Sequence, residues 1–269
     1  MTTRIGRLVL LGHPVSHSLS PAFQNAALRA AGLALEYEAL DVPPGALLAT
    51  LATLRGERAA GNVTIPHKSS ILHACSELTP VARRAGAVNT FWTREDGALA
   101  GDNTDVGGVT AALRVLLPAL PNRSAVAVLG AGGAAAAVLT AAEGWAGGAL
   151  RLWSRRPQAA TALVARFPGM AVAHDSEAAA TRGAALVINA TPVGMRDEAM
   201  PCAVSLLVPG AVVLDLVYRR GETAWVRAAR AQGHPAADGL TMLLEQGALS
   251  FERWFGRAPD RAAMRASVS

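Results

Sequence analysis

Residues 125–129 read A-V-A-V-L, residues 130–134 read G-A-G-G-A, and an alanine-rich run follows. The first segment has the length and apolar character of a buried strand, and the run after the glycines reads as a helix. A strand turned tightly into a helix is the opening of a β-α-β unit, which leaves a parallel sheet with right-handed crossovers as the expected architecture. The neighbouring segments agree. Strands are expected at Ala149–Trp153, Ala185–Asn189 and Val212–Val217, with helices at Ala134–Glu143 and Gln158–Arg166.

A second series precedes this one. Strands are expected at Arg7–Gly12, Leu35–Leu40 and Ala59–Ile65, with a hairpin of Val88–Thr93 and Ala98–Ala100 around E-D-G. Pro21–Ala31 reads as a helix with Ser20 as its N-cap, Pro21 at its first position and Gly32 just past its end. A helix at Val106–Leu117 and the stretch P-A-L-P-N-R-S at 118–124 join the two series, and Leu240–Trp254 reads as a late helix.

The glycine turn has a chemical reading. Gly130 permits the turn and Gly132 lets the backbone approach a pyrophosphate. Ala135 meets the third small position, and the N–H groups at Gly133 and Ala134 open the helix toward an anion. The end of the next strand tells which dinucleotide fits. An acid there would bind a ribose 2′-hydroxyl, but this chain has Ser154, Arg155 and Arg156. A hydroxyl and two guanidinium groups suit a 2′-phosphate, so the cofactor expected is NADP.

Composition narrows the remaining classes. With 51% hydrophobic and 17% charged residues in 269, the chain reads as folded. No apolar run approaches the ~20 residues of a membrane span, and the apolar start is too short for a signal peptide, so a cytoplasmic protein with no membrane partner is expected. Cys75 and Cys202 show no metal spacing and call for no disulfide. His13/His17 and His67/His73 lack accompanying cysteines or carboxylates, so no metal is expected. The net charge is +5, but the arginines are scattered and aromatics are scarce, which argues against nucleic acid.

Lys68, in G-N-V-T-I-P-H-K, is the one lysine among 25 basic side chains. An arginine keeps its proton at any working pH, whereas a lysine can release one. Other rare polar residues fall in turns of the same region: Ser18 and Ser20 in H-S-L-S-P, Asn62 and Thr64 beside Lys68, Asn89 in G-A-V-N-T, and Asn103 and Asp105 in G-D-N-T-D. Each has a local alternative, such as capping by Asp105 of the helix that starts at Val106. Together they suit a polyhydroxylated ligand, which needs hydroxyls, amides and a charge or two.

With these motifs, and with N-A-T-P-V-G-M, D-L-V-Y and Q-G-A-L-S-F further on in the same order, the chain resembles the shikimate dehydrogenase family over nearly its whole length. The resemblance implies two α/β domains with a deep cleft between them. Residues 1–105 plus 240–269 would bind substrate, and residues 106–239 would form a Rossmann-like NADP domain. It implies reversible NADPH-dependent reduction of 3-dehydroshikimate to shikimate in aromatic amino-acid (chorismate) biosynthesis. The alternative is a quinate/shikimate dehydrogenase of a catabolic branch. A small-molecule substrate and a monomer or homodimer are expected.

By the same resemblance, Lys68 and Asp105 are the catalytic pair, and either could carry the proton. Ser18, Ser20, Thr64, Asn89, Tyr218 and Gln246 would hold substrate, with Asn62 shaping the pocket. Gly130, Gly132, Gly133, Ala134, Ser154, Arg155 and Arg156 would hold NADP, and Thr191, Met195 and Gly239 would line the nicotinamide. The family often has His-Asn where this chain has Gln24-Asn25, and Asn-Arg-Thr where it has Ser154-Arg155-Arg156. The second departure keeps one arginine and adds another.

Overall fold

Every side chain from Leu8 to Leu11 is buried. A strand buried on both faces belongs in the middle of a covered, largely parallel sheet. The computed structural model, which describes residues 5–117, 124–145, 148–219 and 221–268, places it there. The chain divides into two units, Met1–Gly108 with Leu244–Ser269, and Val109–Leu243.

The first unit begins with β1 (Arg7–Gly12), α1 (Ser20–Ala30), β2 (Tyr37–Asp41), α2 (Leu47–Gly56) and β3 (Ala59–Val63). Then come β4 (Glu77–Leu78), α3 (Pro80–Ala85), β5 (Thr90–Thr93), β6 (Leu99–Asp102) and the start of α4 (Asp105–Leu116). The sheet order is β2-β1-β3-β5-β6-β4. Its β1 pairs run parallel, while β3–β5 and β5–β6 run antiparallel. The expected hairpin is the β5–β6 pair. It closes through Arg94 N–H to Ala98 O at 2.9 Å, with Gly97 in the left-handed region.

Helix α2 has no counterpart in the sequence reading, yet its spacing explains it. Leu47, Leu51 and Leu54 fall on one face and are buried with Val9, Leu11, Val63 and Phe91, while Leu48 is 73% exposed. Each of the three contributes roughly 1.5–3 kcal/mol by leaving water.

The second unit holds β7 (Val126–Leu129), α5 (Gly133–Ala142), β8 (Leu150–Trp153), α6 (Pro157–Val164), β9 (Ala171–Ala173) and α7 (Glu177–Thr181). It continues with β10 (Leu186–Asn189), β11 (Val212–Asp215), α8 (Ala224–Ala231) and β12 (Ala236–Ala237). All five strand pairs are parallel, in the order β12-β11-β10-β7-β8-β9. From the other edge this is the 3-2-1-4-5-6 arrangement of dinucleotide-binding sheets, and its switch point lies where β7 meets β10. The chain ends in α9 (Leu240–Phe255) and α10 (Arg261–Ala266), which packs on α1. Residues 118–123 of the expected connection lie outside the described residues. No described helix is long and apolar enough to cross a membrane.

Candidate active site

Because β1 and β3 are parallel neighbours, the loops that leave them start side by side. Thr64 N–H bonds Leu11 O at 2.8 Å, and His13 N–H bonds Ile65 O at 3.0 Å. One loop carries Ser18 and the other Thr64 and Lys68. Ser18 Oγ accepts from Ser20 N–H at 3.2 Å. Ser20 is not the N-cap that the sequence suggests. Leu19 already has helical φ/ψ and precedes the helix, so Ser20 falls in the first turn and caps nothing. The hydroxyls of Ser20 and Thr64 therefore have no bonding partner among the described residues.

Lys68 Nζ donates to Asp105 Oδ2 at 2.6 Å. The lysine side chain is 19% exposed and the aspartate 5%. A carboxylate this deep must be met on every side, and Asn89 meets it on the other. Asn89 Nδ2 shares its two protons among Asp105 Oδ1 at 2.9 Å, Thr104 Oγ1 at 2.9 Å and Gln246 Oε1 at 3.1 Å. Thr104 N–H donates to Asn89 Oδ1 at 2.7 Å, which fixes the orientation of the amide. Asp105 is the first residue of α4, but its oxygens are engaged by Lys68 and Asn89.

Asn62 is fully engaged inside the protein. Tyr37 Oη donates to its Oδ1 at 2.9 Å. Its Nδ2 faces Asn89 O and Thr90 Oγ1 at 3.1 Å and Ser250 Oγ at 2.8 Å. Asn62 is thus a strut of the pocket. Behind it the hydroxyls of Thr90, Thr104 and Ser250 lie 2.8–3.0 Å apart. Sequence reasoning passed over these three. The signals were present: Thr90 and Thr104 follow Asn89 and Asn103 within their motifs, and Ser250 sits one helical turn after Gln246. Asn103 itself ties its loop down, donating to Ala87 O at 2.8 Å.

In the second unit the glycine turn leaves β7 at the switch point. Gly130 has φ +121°, and a Cβ there would meet Ala190 O at 2.6 Å. Gly130→Ala is therefore expected to destabilise the protein by at least ~2 kcal/mol, seen as an earlier urea midpoint. An unchanged midpoint would show that the turn tolerates a side chain. Gly132, just before α5, is exposed with nothing within 4 Å of its missing Cβ. No side chain caps α5 and no acid lies in its first turn. The N–H groups that open α5, at Gly133 and Ala134, are the ones a helix leaves without internal partners.

The end of β8 is tied to the same turn, since Gly130 N–H bonds Trp153 O at 2.7 Å. Ser154, Arg155 and Arg156 follow directly. Ser154 Oγ accepts from Arg156 N–H at 3.2 Å. The guanidinium groups of Arg155 and Arg156 are exposed and form no ion pair among the described residues.

Residues 10–91 match the shikimate dehydrogenase substrate binding domain, and residues 239–268 match the shikimate 5'-dehydrogenase C-terminal domain. The shikimate dehydrogenase (NADP(+)) of Rubrobacter xylanophilus is 44% identical over 271 residues, which cover 97% of this chain and 94% of that protein. This chain belongs to the shikimate dehydrogenase family. Among solved structures of the family, shikimate 5-dehydrogenase from Thermus thermophilus, in complex with NADP(H) and shikimate, superposes with a TM-score of 0.86. It is 40% identical, covering 97% of this chain and 98% of that one. Shikimate dehydrogenase from Aquifex aeolicus gives 0.91 at 32% identity, covering 100% and 99%.

The donor set of the second unit fits the cofactor named for the Rubrobacter and Thermus proteins. An open, uncapped helix start suits a pyrophosphate, and two arginines without an ion pair among the described residues suit a 2′-phosphate. The residues expected to line the nicotinamide lie on loops after β10 and before α9, and Tyr218, expected to hold substrate, follows β11. Thr191 Oγ1 donates to Asn189 Oδ1 at 2.6 Å and accepts from Val193 N–H at 3.1 Å, so it shapes its own turn. Met195 is 41% exposed, and Tyr218 is half-buried. Gly239 is buried where a Cβ would meet Leu216 O at 2.4 Å, so close backbone packing alone requires glycine. Beneath these loops lies Asp215. Burial pushes its carboxyl up, against bonds from Thr223, Val217 and Asn189 that pull it down. Burial also raises the Cys75 thiol to about 11 and the Cys202 thiol to about 12, which leaves neither as a thiolate nucleophile near neutral pH.

Proposed function

We propose that this chain is a cytoplasmic shikimate dehydrogenase, monomeric or homodimeric, that interconverts 3-dehydroshikimate and shikimate with NADP(H) in aromatic amino-acid (chorismate) biosynthesis. The observation that carries the reading is the short Lys68–Asp105 pair, in a unit whose Ser20 and Thr64 hydroxyls have no partner among the described residues. NADPH, when bound, supplies a hydride from C4 of its nicotinamide.

Lys68 supplies the proton. Its ammonium has three N–H donors and the structure engages one, with Asp105. The others are available to a ketone oxygen. As the carbonyl carbon gains hydride, its oxygen takes a proton from Nζ, and the ammonium stabilises the charge that builds before transfer. The lysine is left neutral and regains a proton from water, which its 19% exposure admits. In the reverse direction neutral Lys68 takes the hydroxyl proton. Asp105 has no proton to give while it accepts from Lys68 and Asn89. Its role is to aim Nζ and, through its remaining lone pairs, to accept a hydroxyl of the substrate.

Ser18, Ser20 and Thr64 offer hydroxyls to the substrate's carboxylate and ring hydroxyls, and Gln246 and Tyr218 add an amide and a phenol. Asn89 and Asn62 hold the wall from behind. Arg155 and Arg156 take the 2′-phosphate, and Gly130, Gly132, Gly133 and Ala134 the pyrophosphate. Thr191, Met195 and Gly239 border the nicotinamide.

The test is the absorbance of reduced nicotinamide with shikimate and NADP⁺, then with quinate or NAD⁺ in place of one partner. Turnover confined to the first mixture is the expected result, and preferred use of quinate with NAD⁺ would overturn it. The 2′-phosphate assignment has its own check. Arg155→Ala should raise the KM for NADP⁺ by roughly 10-fold or more, the loss of a charge-assisted bond, with the KM for shikimate unchanged. Equal effects on both would remove Arg155 from the cofactor site.

A further inference from the structure

We propose that Ser250 is a positioning residue, whose hydroxyl ties helix α9 to the amide that aims the Asp105 carboxylate. The inference rests on the function proposed above. Ser250 is fully buried, and its Oγ lies within bonding distance of four groups, on three other parts of the unit and on α9 itself. These are Asn62 Nδ2 at 2.8 Å, Thr90 Oγ1 at 2.8 Å, Thr104 Oγ1 at 3.0 Å and Gln246 O at 2.9 Å.

Counting protons gives the direction of these bonds. A hydroxyl has one proton and two lone pairs. Asn62 Nδ2 only donates, so Ser250 accepts there. Gln246 O only accepts, and it receives the Ser250 proton. One lone pair remains, and it takes the proton of the nearer threonine, Thr90. Thr104 then donates to Asn89 Oδ1, 3.2 Å away, and accepts from Asn89 Nδ2. Oδ1 of Asn89 is thereby held as the acceptor of Thr104, and its two Nδ2 protons are shared among Asp105 Oδ1, Gln246 Oε1 and Thr104 Oγ1. The Ser250 hydroxyl thus removes a competing donor from Asn89 Oδ1. It also fixes α9 one turn from Gln246, which shares the Asn89 amide with Asp105.

Removing the hydroxyl strands nothing. Asn62 Nδ2 keeps Asn89 O and Thr90 Oγ1, and the two threonines keep each other and Asn89 Oδ1. Ser250→Ala should therefore fold. What it loses is the tie, and small displacements of a reacting constellation are costly in rate.

The experiment uses the full chain as wild type, S250A and S250C, the last refilling the site with a somewhat larger and only weakly bonding thiol. Steady-state kinetics with shikimate and NADP⁺ are paired with calorimetric titration of shikimate into cofactor-free protein and with thermal melts. Both variants are expected to lose about 10-fold in kcat and severalfold in shikimate affinity, with the KM for NADP⁺ unchanged. Wild-type kcat in either variant would overturn the proposal. So would a loss in S250A that S250C restores, since that assigns the effect to packing. So would a loss that falls equally on the NADP⁺ KM and follows the melting temperature. Failure of the function itself shows elsewhere, as absence of shikimate turnover by the wild type.

Discussion

Replacing Lys68 with arginine should lower kcat for shikimate oxidation by about 10³-fold, within the range that a positioned proton donor contributes. The charge survives, and a guanidinium can meet Asp105 with two parallel bonds, so the ion pair and the fold are retained. The variant should melt within a few degrees of wild type and still bind NADP⁺. What it lacks is a proton to exchange, because an arginine side chain is not deprotonated in proteins. Electrostatic stabilisation of the alkoxide remains, which leaves residual turnover rather than none. The measurement is the initial rate at saturating substrates, with a thermal melt of the same sample. A rate within threefold of wild type would mean that Lys68 serves as a charge only and that the proton comes from elsewhere.

Asp105→Asn should lower kcat/KM by roughly 10²-fold or more, and the reason lies in the donors around it. The carboxylate accepts on both sides, from Lys68 at Oδ2 and from Asn89 at Oδ1. An amide accepts on one side only. If its oxygen faces Lys68, its NH₂ meets the NH₂ of Asn89, and Asn89 cannot turn because Thr104 N–H holds its oxygen. If it faces the other way, the NH₂ points at the ammonium. Either orientation costs about 1–3 kcal/mol for a donor left unmet and displaces Nζ from its aim. The loss should appear in kcat as well as KM. A variant with normal kcat and a raised KM alone would reduce Asp105 to a substrate ligand and leave Lys68 aimed by other means.

Much of this site can be read from residue types that the chain uses sparingly. Lys68, Asp105, Asn89 and Gln246 lie in four separate motifs, and the structure joins them by a continuous chain of bonds. The glycine turn after β7 was equally legible, because its strand and helix flank it in sequence. Less was visible where the outcome depends on partners far along the chain. Ser20 has every local mark of a cap, but the helix winds from Leu19 and leaves its hydroxyl for other uses. Helix α2 carries an exposed Leu48 beside its buried leucines, which blurs the contrast between its two faces. Strand β12 has two residues and exists only through its pairing with β11. A serine in a late helix looks ordinary until Asn62, Thr90 and Thr104 are seen around it. The small slips at strand ends have the same origin, since pairing ends where the neighbouring strand does.

The links from Asn89 to Gln246 and from Asn62 to Ser250 span 157 and 188 residues. A ribosome delivers Asn62, Asn89 and Thr104 long before it has made α9. Until that helix arrives, these groups are solvated and one wall of the pocket does not exist, so a nascent chain cannot yet grip its substrate. The stretch Val109–Leu243 emerges complete in the meantime, with a sheet whose strands pair only with one another. Folding it first replaces a long slack loop by a structured insert, which reduces the entropy lost when α9 docks. Catalytic competence is then gained late, when α9 docks.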